Sequence, residues 1–250
     1  MKGEENVTTM SACDFFGVKE DRPSKSMEHL KKKTQNSSAE KEPTTPLDWA
    51  YHLLDHPEEE DRCDFAGWRG LEWGLLLNRH PEFASKCDFG ALAGEDWRHL
   101  LIVSEHFEDK CEEKCGWSLL SGDDWVVLLL YRPELANFCD WSKAKLAEPM
   151  LVAELLAARP EFAANYDLSL FDGWCTGFLL SRQPQFAEKC DLSKLDRRQW
   201  LSLIGWQPEF AAKCDREKLG IAEKDWEVAL NGVPPHQDVF TLGVNVYEAL

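Results

Sequence analysis

The amino-acid sequence predicts an all-α fold: a right-handed α-solenoid of about eight repeats of ~24 residues, each one α-helix followed by a short helical turn. Three observations predict it. A phrase of Trp, Leu-Leu, Pro-Glu-Phe-Ala, Cys-Asp, Leu and Trp recurs at a near-constant period. Inside each copy the apolar residues fall at i, i+3 and i+4, the stripe of an amphipathic helix. No segment alternates apolar and polar residues over a useful length, so strands are not expected.

The clearest copy runs from Trp73 through Leu76, Leu77, Pro81, Phe83, Cys87, Asp88 and Leu92 to Trp97. Proline follows tryptophan by eight residues, cysteine follows proline by six, and the next tryptophan follows cysteine by ten, a step of 24. The tryptophan slot falls at Trp49, Trp73, Trp97, Trp125, Val152, Thr176, Trp200 and Trp226. Trp174 sits two places before Thr176 and is a candidate to fill the same hole. Glu105 stands in a proline slot, Tyr166 in a cysteine slot, and Phe240 in the last cysteine slot. About four residues are added around Cys111 to Cys115, three after Cys139 and two after Cys214. Terminal copies are expected to be atypical, because they cap the open ends of a stack.

Each copy is expected to fold in the same order. Gly94-Glu95-Asp96 opens a helix whose first-turn acids suit the positive end of the helix dipole. Trp97, Leu100 and Leu101 form its inward stripe. A proline then ends the helix, because it disfavours α geometry at the residue before it, and it can open the next turn. Pro-Glu-Phe-Ala is read as one turn of α or 3₁₀ helix with Phe and Cys facing in. The aspartate after cysteine is placed to cap the next turn. One layer is too thin to close its own interior, so stacking is expected to build one continuous core. The residues assigned to it are Trp49, Trp73, Trp97, Trp125, Trp200 and Trp226, then Phe83, Phe107, Phe162, Phe186 and Phe210, then Cys63, Cys87, Cys139, Cys190 and Cys214. Each buried aromatic stabilises by roughly 1.5–3 kcal/mol relative to exposure.

This alternation in a Pro-punctuated unit resembles the leucine-rich-repeat-variant solenoids. It is also similar to Trp-rich bacterial repeats of unknown function that carry a Pro-Gln-Phe-Ala-Asp-Lys-Cys-Asp-Trp-like phrase, matched best here at Gln183 to Asp191. The resemblance spans about residues 47–240 and implies an architecture, not an activity.

Residues 1–46 differ in composition. They hold Lys31-Lys32-Lys33, Ser37-Ser38 and Pro43-Thr44-Thr45-Pro46 and little apolar periodicity, as expected of an extension or linker. Cys13-Asp14-Phe15 copies the repeat, so a degenerate cap is the alternative. Residues 47–240 form the expected repeat domain and 241–250 a cap or tail. The extension carries eight basic and eight acidic residues, so the formal charge of −17 lies on the rest of the chain. Such a surface repels phosphate backbones and anionic membranes, which disfavours direct nucleic-acid or membrane binding. No long apolar run and no leader-like N-terminus is visible, which predicts a cytoplasmic protein.

Cysteines in one slot of stacked helical layers are expected about 8–10 Å apart, too far for a disulfide or a shared zinc. They are read as buried, reduced core residues. Cys111 and Cys115 break the register, and a metal or enzymatic module there is the remote alternative. The histidines and post-proline glutamates follow the repeat rather than a catalytic pattern, and no metalloprotease, phosphate-loop or nucleophile-elbow motif is present. No catalytic residue, metal ligand or cofactor is assigned.

The function expected is a non-catalytic scaffold or regulator whose acidic face binds a basic or mixed-charge protein. The alternative is an acidic, DNA-like inhibitor of a nucleic-acid-binding protein. Because insertions into repeats often project as loops on the binding face, Glu112, Glu113, Lys114, Lys143, Lys145 and Glu148 are the candidate partner contacts. Tolerated drift is the other reading of the same insertions.

Overall fold

A computed structural model describes residues 42–104, 107–114 and 116–232. The chain divides into two units, 1–43 and 44–250, and every described helix belongs to the second. Among the described residues every regular element is helical and no strand occurs. The helices are α1 (Pro46–Asp55), α2 (Gly70–Arg79), α3 (Gly94–Val103), α4 (Glu108–Glu113), α5 (Gly116–Leu119), α6 (Gly122–Tyr131), α7 (Trp141–Ala144), α8 (Pro149–Ala158), α9 (Gly173–Arg182), α10 (Arg197–Trp206) and α11 (Glu223–Leu230). The long ones are α1, α2, α3, α6, α8, α9, α10 and α11, and each starts three residues before a tryptophan slot. Each long helix packs against the next one in that series.

The local causes are those of the sequence. Helix starts are closed by reciprocal caps: Thr45 with Asp48, Ser121 with Asp124, and Asp196 with Gln199 exchange side-chain and backbone hydrogen bonds. Helix ends are set by proline. The preceding residues His56, His80, Arg132, Arg159, Gln183 and Gln207 all have φ between −135° and −126° and ψ between 57° and 83°. A 3₁₀ turn then begins at Pro57, Pro81, Pro133, Pro160, Pro184 or Pro208. Ser104 precedes Glu105 instead of proline, and its ψ opens to 131°. There 3₁₀ geometry at Phe107 runs on into the α-helix α4. The aspartates after the cysteine slot cap as expected: Asp64, Asp88, Asp140, Asp167 and Asp191 each accept from the backbone N–H two residues on, and Asp215 accepts from Lys218 N–H.

The core differs from expectation in three ways. It forms two clusters of buried residues, not one continuous column. They meet at α6, where Trp125 and Leu128 belong to the first cluster while Val126 and Leu129 belong to the second. Cys139 and Trp141 pack against both. The end tryptophans Trp49 and Trp226 are half-buried, whereas Trp73, Trp97, Trp125 and Trp200 are buried. Among the described long helices α1 packs against α2 alone and α11 against α10 alone. Thr176 is fully buried in its own slot while Trp174 stays half-buried against the second cluster. Phe83, Phe107, Phe162, Phe186 and Phe210 are buried in the slots assigned to them.

The chain added near Cys111 does not project as a loop among its described residues. It folds as α4 and α5, with Phe107, Cys111 and Leu120 buried. Gly116 lies so close to the core that a Cβ there would sit 2.7 Å from the Cys111 sulfur and 2.9 Å from the Trp97 ring. The Cys13 motif, Cys115, Phe240 and the 241–250 segment lie outside the described residues.

Candidate binding surface

Polar side chains at repeated positions hold one layer to the next. The residue before proline reaches back to the last turn of the preceding long helix, whose carbonyls lack intrahelical partners. His80 Nε2–H donates to Leu54 O at 3.1 Å, Arg132 Nη1 to Leu101 O at 2.7 Å, Gln183 Nε2 to Ala157 O at 2.6 Å and Gln207 Nε2 to Ser181 O at 2.9 Å. Each such bond contributes about 0.5–1.5 kcal/mol net. His80 thereby makes a layer contact.

A second rung comes from lysine. Lys143 Nζ donates to Ser118 O at 2.6 Å and to Leu120 O at 3.1 Å. Lys194 Nζ repeats the pattern to Ser169 O at 2.7 Å and Phe171 O at 2.8 Å. A third rung is ionic. Asp96, only 3% exposed, accepts from Arg69 Nε at 2.8 Å and from the N–H groups of Gly70 at 3.0 Å and Ala93 at 2.9 Å. Burial pushes its carboxyl pKa up, but the hydrogen bonds from Arg69, Gly70 and Ala93 outweigh that and hold it below the usual carboxylate value. Arg98 pairs with Asp124 at 3.0 Å, and Arg132 with Glu108 at 2.7 Å.

The candidate partner contacts fall in two separate places. Glu112, Glu113 and Lys114 are exposed on and just after α4. Glu113 pairs with Lys110 at 2.8 Å, and with Lys114 it borders an open depression of about 410 Å³ against Ser85, Asp88 and Phe89. The second group packs toward residues 118–123. Lys143 is spent on the carbonyls above, Lys145 is exposed, and Glu148 gives its backbone N–H to Asp123 at 2.8 Å while its side chain stays exposed.

The described cysteines are free thiols. Cys87, Cys111 and Cys175 are buried, but Cys63, Cys139, Cys190 and Cys214 are half-buried, which corrects the expectation of a fully buried ladder. Burial pushes the thiols of Cys87, Cys111, Cys139 and Cys175 up to about 12 and those of Cys63 and Cys190 up to about 11. They stay protonated, and the thiolate is the reactive form. Among the described residues no three His, Cys, Asp or Glu side chains gather as metal ligands, and no helix is long and apolar enough to cross a membrane.

Sequence reasoning missed the pre-proline and lysine rungs. The signal available was a long polar residue kept in one register: His80, Arg132, Gln183 and Gln207. Comparisons with protein-family models, with curated proteins and with solved structures found no match to this chain.

Proposed function

We propose that this chain is a leucine-rich-repeat-variant-like, right-handed α-solenoid of about eight repeats that acts in the cytosol as a non-catalytic scaffold for a basic or mixed-charge protein. Serial packing of the long helices and the recurrence of the same rungs from layer to layer support the solenoid reading. The observation that carries the binding reading is electrostatic. Cations of the repeat region are drawn into pairs within the molecule, as at Arg69–Asp96, Arg98–Asp124, Lys86–Glu60 and Lys213–Glu188, and each pair is neutral. The surplus behind the formal −17 is therefore acid left to the surface. An acidic surface steers basic partners and rejects acidic ones.

The test is affinity isolation from the native host, followed by titration of the purified partner at about 0.05 M and about 0.5 M salt, on either side of a Debye length near 10 Å. The partner is expected to carry a basic patch and to lose affinity by about tenfold or more at the higher salt. An acidic partner, or an affinity indifferent to salt, sinks the reading.

A further inference from the structure

The first and last long helices described do not carry the side chains that the helices between them carry. In the long helices before α11 the first, fifth and eighth residues face the next layer. Gly70, the first residue of α2, sits so close to the Asp96 backbone of α3 that a Cβ there would clash. A Cβ on Gly74, the fifth, would meet the Leu100 Cα at 3.5 Å. The eighth residue of each of these helices is fully buried, as at Leu77 and Leu101. Positions i, i+4 and i+7 share one helix face. In α11 those positions hold Glu223, Glu227 and Leu230. Both glutamates are exposed, and Leu230 is 43% exposed where its equivalents in the earlier long helices are sealed.

The third and seventh residues face the layer before. Gly70 gives its N–H to Asp96, the third residue of α3, and Gly74 lies against Leu100, the seventh. The seventh residue is a fully buried leucine in the long helices from α2 to α10, and a fully buried alanine, Ala229, in α11. In α1 it is His52, whose Nε2 lies 3.1 Å from Glu59 Oε2. The third residue of α1 is Asp48, which is exposed.

Charges at the junctions between these helices follow one rule. Arg98, the fifth residue of α3, pairs with Asp124, the third of α6, at 3.0 Å. Arg197, the first of α10, pairs with Asp225, the third of α11. Arg69, one residue before α2, pairs with Asp96, the third of α3. A cation of one layer thus meets an acid at the third residue of the next. If a second copy of the chain set its α1 on α11, Asp48 would face Glu223 and Glu227. Arg216 pairs with Glu223, and Lys224 is the second residue of α11, outside the forward positions. No cation stands at the first, fifth or eighth residue of α11 to receive Asp48. Taking a carboxylate out of water against another carboxylate disfavours the contact. His52 would also stand where a buried leucine closes the other junctions.

A stack whose ends matched would add copy to copy, because head-to-tail contacts extend into rings or filaments. We infer that Asp48 and His52 at one end and Glu223 and Glu227 at the other block head-to-tail assembly of this chain. This rests on the solenoid reading above and names the two faces that a second copy cannot join.

The test is sedimentation of the full chain over about a hundredfold range of concentration, since association of copies follows mass action. Glu223→Gly and Glu227→Arg give α11 the residue types of Gly70 and Arg98, and His52→Leu gives α1 the leucine of the other layers. The parent is expected to stay monomeric. The triple variant is expected to grow past a dimer, to an average mass about threefold or more that of the parent. The Glu223→Gly/His52→Leu variant keeps Glu227 and is expected to associate about tenfold more weakly than the triple variant or not at all. Far-UV circular dichroism checks that each protein folds. If the triple variant loses helicity, Glu227→Arg alone, at an exposed site, is expected to show concentration-dependent association that the parent lacks. A parent that assembles overturns the inference. So does a folded triple variant that stays monomeric or stops at a dimer, equal association with and without Glu227→Arg, or, where only the single variant folds, its staying monomeric. The scaffold reading is untouched by these results and stands or falls on the salt dependence of partner binding.

Discussion

The two clusters that meet at α6 solve the same packing problem with different chemistry. The first is built on rings. Phe65 stacks on Trp73 at 5.4 Å and 16°, Phe89 on Trp97 at 5.8 Å and 24°, and Trp117 on Trp125 at 5.6 Å and 14°. The second has Val152 and Thr176 in the tryptophan slot and is filled by Leu, Ile and Phe, with Trp200 its one buried indole among the described residues. The slot therefore asks for bulk against a neighbour, not for an indole. Rings also carry a polar cost. The indole N–H groups of Trp68, Trp97, Trp117 and Trp125 are buried without an acceptor, and each opposes folding by about 1–3 kcal/mol. The area those rings bury must exceed that cost.

The largest test of the contrast is cavity formation. Trp97→Ala empties a fully buried site and is expected to destabilise by about 3–5 kcal/mol. Val152→Ala, in the equivalent slot of the second cluster, removes two methyl groups and is expected to cost about half as much or less, at ~0.8 kcal/mol per buried carbon plus a smaller cavity. Urea unfolding monitored by circular dichroism measures both. Equal losses would mean that the two clusters do not divide the slot's work as described.

The sequence made the periodic features legible because each depends on residues a few places apart. Helix starts, the proline stop, the 3₁₀ turn and the aspartate caps are local chemistry. The break of the core at α6 was not legible, because which face of one helix serves which neighbour depends on how layers stack. The same limit hid the rungs from His80, Arg132, Gln183 and Gln207, since the carbonyl each reaches lies 26 or 31 residues earlier.

Glycines sharpen the contrast between close backbone approach and ordinary packing. A Cβ on Gly173 would lie 2.3 Å from the carbonyl oxygen of Lys194, and a Cβ on Gly74 meets nothing closer than 3.5 Å. Gly173→Ala must push apart two backbones and is expected to cost about 1–3 kcal/mol. Gly74→Ala sits inside α2 at ordinary contact distance and is expected to stabilise by about 0.5–1 kcal/mol. Thermal unfolding distinguishes them, and a shared sign would refute the close approach.

Capping gives the next test, because the third residues of α3 and α10 differ in charge. Asp96 at the start of α3 is ionised and buried, whereas Gln199 at the same place in α10 accepts the Asp196 N–H at 2.8 Å without a charge. Asp96 has a depressed folded pKa, so its stabilisation is fully present above the ordinary carboxylate value near 3.9 and is lost as pH falls through the folded value. Asp96→Asn is expected to cost about 1–3 kcal/mol at neutral pH. That gap should hold down to about pH 5 and close as pH falls below about 4. Gln199→Ala should show a gap that does not close in the same window. Urea midpoints taken across pH provide the measurement, and parallel curves for both variants would remove the ionic rung.

The last effect expected is a gain, and it lies in the second cluster. Thr176 is completely buried, and its Oγ1 has no hydrogen-bond partner. The hydroxyl loses water on folding and receives nothing in return. Val152 shows that a valine side chain is accepted in the same slot one layer earlier, at 3% exposure. Thr176→Val keeps the shape and removes the unsatisfied group, so it should raise stability by about 1 kcal/mol, shifting the thermal midpoint up by a few degrees at most for a chain of this size. Valine is also restricted at χ1 in a helix as threonine is, so little conformational entropy separates the two. A loss on this substitution would show that the hydroxyl has an acceptor, and that the second cluster bears a polar contact where the first bears a ring.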